Sequence, residues 1–161
     1  MFAEFGYGVL LVSLIVAIYS GVSAVYGATA PHKSAALVES ARRAMLLTFP
    51  LISIAAATLI YLLVNDHYEV AFVYEVTSRS MPTYLKVTAW WGGQAGSLVF
   101  WSWLLAVFTS AVTLRKWDRD IEFLPWVILV SAITLTFFLG MTVFFENPFT
   151  RFWLVNGNVE P

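Results

Sequence analysis

The feature that most constrains this sequence is a set of four long stretches without a charged residue. Crossing the hydrocarbon core of a bilayer takes a helix of about 20 apolar residues, and each stretch reaches that length. None shows the strict alternation of a barrel strand. The stretches are residues 5–31, 44–65, 87–114 and 123–145. The sequence therefore predicts an all-α integral membrane chain with four transmembrane helices.

The amino-acid composition agrees with a membrane protein and excludes several kinds of site. Hydrophobic residues make up 60% of the chain and charged residues only 12%, against about 25% charged residues in soluble domains. The net charge of −1 gives no basic field for nucleic acid. Without cysteine, the chain has no thiolate ligand, disulfide or cysteine nucleophile. Two histidines cannot complete a metal site, and we predict neither catalytic residues nor a metal.

The basic residues between the stretches predict the orientation of the chain. Cytoplasmic loops of membrane proteins carry an excess of lysine and arginine. Most of the nine lysine and arginine residues lie in two connections that four helices place on one side: Lys33, Arg42, Arg43, Arg115, Lys116 and Arg119. We therefore predict an N-out, C-out protein of the bacterial cytoplasmic (inner) membrane, with its larger loops in the periplasm. An organellar protein would lie in the mitochondrial inner membrane.

We predict a single membrane domain over residues 1–161. Its helices would cover residues 5–27, 43–65, 96–115 and 122–145, with an outer loop over 66–95 and an outer tail over 146–161.

The outer loop contains two shorter predicted elements. Apolar and polar residues alternate over 68–77, a period typical of a strand. Pro82 suits the first turn of a helix, which predicts an interfacial helix over Pro82–Trp91 that Gly92 and Gly93 would end. The second helix is predicted to begin before the membrane with Ser34 as its N-cap, and Ser97 is predicted as the N-cap of the third transmembrane helix.

Residues 89–101 read AWWGGQAGSLVFW, a pattern that allows three interpretations. A phosphate loop would need a lysine and a preceding strand, and both are missing. An interfacial aromatic belt broken by glycines needs no ligand; the residues alone favour this interpretation. The third interpretation is a platform for a planar apolar ligand. Tryptophans would offer flat faces, glycines a close backbone approach, and Gln94 and Ser97 contacts to a carboxylate.

The same stretch resembles the WGGxEGSxxLW signature of CcmF-type proteins, the cytochrome c maturation haem lyases. The preceding VAFVYEVTSRSMPTYLKVTAWWGG, residues 70–93, is similar to the segment that leads into the family signature. It follows Asn65 and Asp66 at the end of the second predicted helix. ENPFTRF, residues 146–152, resembles the family's Asn-Pro-Phe-x-Arg element. The order and spacing agree from near residue 1 to about residue 155.

The resemblance implies the N-terminal membrane part of a haem lyase in cytochrome c-type biogenesis. Such an enzyme binds haem b delivered by a periplasmic haem chaperone and helps attach it to apocytochrome c. The implied partners are the remainder of the CcmF protein or a second CcmF subunit, the haem chaperone, apocytochrome c, maturation subunits that handle the apocytochrome, and membrane lipid. A non-enzymatic tetraspan scaffold or docking subunit of another membrane complex is the alternative.

The sequence departs from the family pattern in three ways. Ala95 stands where the family has glutamate. The tryptophan-rich WGxWWxWD segment is absent, and the family's haem-ligand histidines come after the Asn-Pro-Phe element. The chain is therefore expected to be incomplete relative to a full-length member, with the haem ligands outside it.

The resemblance also marks residues. Those of the signature, as a haem region, are Trp90, Trp91, Gly92, Gly93, Gln94, Gly96, Ser97 and Trp101. The outer bases Arg79, Lys86 and Arg151 could neutralise haem propionates, but the residues alone favour contacts with solvent or lipid phosphate. Asn147, Pro148 and Phe149 would order the exit from the fourth transmembrane helix.

Overall fold

The computed structural model describes residues 1–29, 34–117, 119–155 and 158–160. Lys33, used above to predict the orientation, lies outside them. The helices are α1 (Phe2–Thr29), α2 (Ala35–Val64), α3 (Ala71–Val76), α4 (Thr83–Thr88), α5 (Gln94–Leu114) and α6 (Leu124–Phe144). Two 3₁₀ turns, Ala89–Trp91 and Ile121–Phe123, precede α5 and α6. Strands β1 (Trp153–Val155) and β2 (Asn158–Glu160) pair antiparallel.

Four helices of the described chain, α1, α2, α5 and α6, are long and apolar enough to cross a membrane. This confirms the predicted number of spans. The helix α2 begins well before the basic pair Arg42 and Arg43. Its N-cap is Ser34, as predicted, because the Ser34 side chain accepts a hydrogen bond from the Leu37 amide at 3.3 Å.

The long helices form a closed bundle. In the order α1, α2, α5, α6, each helix packs against the next, and α6 packs against α1. A smaller contact between α2 and α6 crosses the centre. Large side chains that are fully buried fill the interior, among them Leu10, Met45, Ile52, Leu59, Ile128, Leu135 and Leu139.

Polar side chains join neighbouring helices within the bundle. The Ser20 hydroxyl of α1 donates to the Ala41 carbonyl of α2 at 2.8 Å. The Trp103 indole N–H of α5 donates to the Ser53 hydroxyl of α2 at 3.0 Å. Hydrogen bonds between helices stabilise association in lipid, where burial of apolar surface gives no advantage over contact with acyl chains.

We call the end at which α1 and α5 begin and α2 and α6 end the signature end. The helices α3 and α4 connect α2 to α5 there. The end that carries Arg42, Arg43, Arg115, Lys116 and Arg119 is the basic end.

The predicted strand over 68–77 is wrong over residues 71–76, which form α3. The alternation is short, and a helical turn buries Phe72 and Val73 together against the bundle. Only Val70 keeps a strand-like contact, an isolated antiparallel bridge with Arg151.

That bridge attaches the outer loop to the segment after α6. The Ala71 amide donates to the Thr150 carbonyl at 2.9 Å, and the Phe152 amide donates to the Glu69 carbonyl at 3.0 Å. The Phe152 ring also meets Tyr74 of α3 edge-on, with the ring centroids 5.7 Å apart. The loop and the tail therefore pair with each other within this chain.

Phe149 packs against Gly6 of α1, where a side chain would not fit. A Cβ at Gly6 would lie 2.3 to 2.8 Å from atoms of the Phe149 ring, whereas a Cβ at Gly8 would meet no atom within 4 Å. We expect Gly6→Ala to destabilise the protein by about 1–3 kcal/mol through overpacking. Gly8→Ala should be neutral or stabilise it by about 0.5–1 kcal/mol, since alanine favours a helix. Thermal unfolding in detergent would measure both; equal midpoints would contradict the packing.

Candidate functional site

The signature stretch changes conformation three times within a few residues. The helix α4 ends at Thr88, the 3₁₀ turn Ala89–Trp91 follows, and Gly93 occupies the extended N-cap position of α5. The predicted start of this helix at residue 96 with Ser97 as N-cap is wrong. The helix begins at Gln94, and the Ser97 hydroxyl donates to the Gln94 carbonyl at 2.8 Å. The extended backbone of Gly93 lets α5 begin three residues before Ser97.

Trp90 is a core residue of the signature end. Its side chain is 7% exposed. Its ring meets Phe100 edge-on at a centroid distance of 5.2 Å and Trp103 at 6.2 Å, geometries that stabilise aromatic pairs. Its indole N–H is buried without a hydrogen-bond acceptor in the part of the chain that is described. Trp90 therefore packs against α5 and offers no face to a ligand.

Gly93 and Gly96 make room for Phe72 of α3. A Cβ at Gly93 would lie 2.7 Å from the Phe72 ring. A Cβ at Gly96 would lie 2.5 Å from the same ring and 2.0 Å from the Trp90 carbonyl oxygen. These two signature glycines serve the close packing of α3 and the 3₁₀ turn on α5.

Four of the other five signature residues are exposed and form a surface, which we call the exposed signature surface: Trp91, Gly92, Gln94 and Trp101. Trp91 is 47% and Trp101 53% exposed, and Gly92 and Gln94 are also exposed. Phe100 lies between the two tryptophans, with centroid distances of 5.6 and 6.0 Å. A Cβ at Gly92 would meet nothing closer than Ala89 at 3.5 Å. This surface offers aromatic faces beside an uncovered backbone.

The side chain of Lys86 is buried and paired. Its side chain is 7% exposed, and its Nζ lies 2.5 and 2.6 Å from the two carboxylate oxygens of Asp66. The hydrogen bond from Lys86 lowers the pKa of Asp66, and the Tyr68 hydroxyl, which donates to Asp66 Oδ1 at 2.9 Å, lowers the same pKa further. The charge of Lys86 is thus already compensated within the chain.

The other two bases also have contacts. Arg151 Nη1 lies 2.5 Å from Glu4 Oε1 and so joins the tail to the start of α1. The Arg79 guanidinium is exposed and lies 5.9 Å from the centroid of the Tyr68 ring. Of the three, Arg79 has the most exposed charge.

Asn147 and Phe149 shape the exit from α6. The Asn147 side-chain oxygen accepts a hydrogen bond from the Phe149 amide at 3.0 Å. The Asn147 carbonyl accepts one from the Thr150 hydroxyl at 3.0 Å. Pro148 and Phe149 are buried.

The described residues contain no group of three or more histidine, aspartate or glutamate side chains placed to hold a metal ion. His67, at the signature end, lies with Nδ1 2.8 Å from Glu69 Oε1 and its ring against Tyr61.

Sequence reasoning missed Asp66 and Phe72 as parts of this site. Asp66 was noted in the resemblance, but twenty residues separate it from Lys86, and no periodic pattern indicates the pair. Phe72 was assigned to a strand, and its contact with the glycines depends on the helical turn that replaced that strand.

Comparison with known proteins gives a consistent result, although no family model matches the chain. Over 151 residues the chain is 33% identical to the cytochrome c-type biogenesis protein CcmF of Haemophilus influenzae, and 26% identical to CcmF of Escherichia coli. Over the same length it is 32% identical to the cytochrome c-type biogenesis protein ccl1 of Rhodobacter capsulatus. The chain is similar in sequence to CcmF-type proteins. The resemblance to the N-terminal part of CcmF-type proteins is thereby confirmed.

The fold comparison agrees with the sequence comparison. A solved structure titled Cytochrome c Heme Lyase CcmF matches 92% of the chain with a TM-score of 0.85 at 19% identity, which shows a shared fold. Each of the three relatives is matched over 94% of this chain but only 23% of its own length. The chain thus spans less than a third of the length of the curated relatives it matches.

The glycines of the signature give a test of their packing role. Gly96→Ala should destabilise the protein by at least about 1–3 kcal/mol, because its Cβ would overlap backbone and the Phe72 ring. Gly92→Ala, the matched control four residues earlier, should leave stability unchanged. Thermal unfolding in detergent measures both variants. An unaltered midpoint for Gly96→Ala would refute the packing.

The Asp66–Lys86 pair predicts a pH dependence. The pKa of Asp66 is lower in the folded chain than in the unfolded one, so the pair stabilises the fold above pH about 4 and loses this effect as the pH falls through the folded pKa. Asp66→Asn should lower the unfolding midpoint at neutral pH, and its difference from the parent should shrink in acid. Glu39→Gln, in an exposed pair with Arg43, is the control. If the difference in unfolding midpoint between Asp66→Asn and the parent did not change with pH, the stabilising role of the Asp66–Lys86 ion pair would be contradicted.

Proposed function

We propose that this CcmF-type chain is the N-terminal membrane part of a haem lyase in cytochrome c-type biogenesis. Its relatives are named as cytochrome c-type biogenesis proteins, and the similarity covers 94% of the chain. That coverage carries the proposal. According to this proposal, the whole enzyme takes haem from a periplasmic haem chaperone and attaches it to apocytochrome c. This chain supplies part of the membrane framework of that enzyme.

The exposed signature surface is the part of this chain that best suits contact with haem. Trp91 and Trp101 present apolar aromatic faces at one end of the bundle, and a porphyrin is a large apolar plane of similar character. The uncovered Gly92 backbone would permit close approach. Haem b, as the bound substrate, supplies the vinyl groups that react with the apocytochrome thiols.

Arg79 is the best candidate for a partner of a haem propionate. Its guanidinium is exposed near the signature end, and arginine matches carboxylate geometry well. Lys86 and Arg151 each already contact a carboxylate, so a propionate would have to compete with Asp66 or Glu4. The iron ligands in this proposal come from the remainder of the CcmF protein or a second CcmF subunit.

The proposed orientation is N-out and C-out in a bacterial cytoplasmic membrane, or the equivalent in a mitochondrial inner membrane. The positive-inside rule supports this orientation, since the basic end carries Arg42, Arg43, Arg115, Lys116 and Arg119. The signature end is then periplasmic. The helix α4 and the 3₁₀ turn would lie at the membrane interface, where tryptophan is favoured. The haem chaperone, apocytochrome c and its handling subunits would meet this end, with lipid around the bundle.

Trp91 gives the most direct test of the proposal. Trp91→Ala should lower the yield of holocytochrome c about tenfold, since truncating a tryptophan anchor costs on the order of 1–2 kcal/mol. Amounts of the chain in the membrane should stay unchanged, because Trp91 is half exposed. Haem staining of cytochromes, normalised to the amount of the chain, is the measurement.

Trp126→Ala is the matched control, because Trp126 is 48% exposed but lies near the basic end. It should leave the yield unchanged. Equal yields for the parent and Trp91→Ala would sink the proposed role of the surface and favour a scaffold without haem contact.

A further inference from the structure

The signature end contains a partly buried ion pair between Asp66 and Lys86. The Lys86 side chain is 7% exposed and that of Asp66 32% exposed. A buried ammonium group is unfavourable unless it is paired and hydrogen-bonded, and Lys86 donates to both oxygens of one carboxylate. The pair joins the end of α2 to α4, twenty residues later in the sequence.

The acceptor side of the pair is held in place by its surroundings. Asp66 has a φ of 57°, a left-handed conformation directly after the C-cap Asn65 of α2. A residue other than glycine in this region needs support from its surroundings. The Tyr68 hydroxyl donates to Asp66 Oδ1, and the Arg79 guanidinium lies over the Tyr68 ring. These contacts fix the orientation of the Asp66 carboxylate, which accepts the hydrogen bonds from Lys86.

The donor side of the pair leads directly to the signature. Lys86 precedes Trp90 by one helical turn, and α4 continues without a break into the 3₁₀ turn that contains Trp90 and Trp91. Both α4 and this turn pack against α2. At the far end, the Trp90 ring packs on Phe100 and Trp103. The stretch from Lys86 to Trp90 is thus held by an ion pair at its start and an aromatic cluster at its end.

We infer that Asp66 and Lys86 are positioning residues: their ion pair holds the 3₁₀ turn on the end of α2 and thereby sets where Trp91 and Gly92 lie relative to α5. The inference rests on the proposed function only in linking that position to haem handling. Lys86 acts here through Asp66 and not as an anion-binding residue. The two roles differ in the residues they require. Positioning of the 3₁₀ turn needs both Asp66 and Lys86, whereas binding of an anion needs only the positive charge of Lys86.

The absence of cysteine from the chain allows a direct test of position. Ala95 is 8% exposed and lies beside Gly96, where the Trp90 carbonyl closely covers the start of α5. In Ala95→Cys, the only thiol of the chain should be shielded from a membrane-impermeant maleimide while the turn is seated. Labelling is followed as a gel shift of the epitope-tagged chain, in membranes of cells that also produce the rest of the maturation system.

Variants of the pair are then compared in the Ala95→Cys background. Lys86→Met and Asp66→Asn should raise the labelling rate about tenfold or more. Lys86→Met removes the side chain that ties the turn to Asp66, and Asp66→Asn leaves the buried Lys86 ammonium group uncompensated. Lys86→Arg and Asp66→Glu keep both charges and should label at close to the parental rate. Arg43→Met, which breaks the exposed Glu39–Arg43 pair, should change nothing.

Two results would overturn the inference: a shielded thiol in Lys86→Met, or Lys86→Arg labelling as fast as Lys86→Met. Should Lys86→Met fail to accumulate in the membrane, Lys86→Arg and Asp66→Glu still decide. Parental labelling in both supports the inference, and raised labelling refutes it.

The yield of holocytochrome c, measured in the same cells, separates the inference from the proposed function. Raised labelling together with a lower yield supports both. Raised labelling with an unchanged yield supports the positioning of the turn and refutes a role of the exposed signature surface in haem handling.

Discussion

The lipid bilayer sets the first constraint on this chain, because it offers no hydrogen-bond partner to an exposed peptide group. Four apolar stretches must therefore become helices, and the remaining polar groups must pair within the bundle or lie at its ends. Side-chain hydrogen bonds such as Trp103 to Ser53 and Ser20 to Ala41 meet this requirement inside. At the signature end the requirement is met by short helices, the bridge between the loop and the tail, and the Asp66–Lys86 pair.

The signature contains buried packing residues and exposed residues, and the two kinds are interleaved in the sequence. Trp90, Gly93 and Gly96 form a closely packed junction with Phe72. Trp91, Gly92, Gln94 and Trp101 remain exposed beside that junction. The buried half gives the exposed half a rigid support, which is what a binding surface needs if its aromatic faces are to meet a ligand without reordering.

The long helices could be predicted from the sequence because each depends on a local property, an uncharged apolar stretch of sufficient length. The N-cap Ser34 was equally local. The strand over 68–77 failed because a ten-residue alternation is a weak signal, and burial of Phe72 and Val73 on the bundle favoured a helix. The start of α5 was misplaced because Gly93 provides the extended N-cap backbone without a capping side chain. Tertiary contacts decided both cases.

The bases at the signature end show most clearly where sequence reasoning stops. In the sequence, Arg79 and Lys86 of the loop before α5 and Arg151 of the tail look equivalent as isolated cations, and all three suit an anionic ligand. In the fold, Lys86 is buried against Asp66, and Arg151 joins the tail to Glu4. Arg79 keeps an exposed guanidinium. Two of the three bases thus form ion pairs within the chain, a role that only the folded structure reveals.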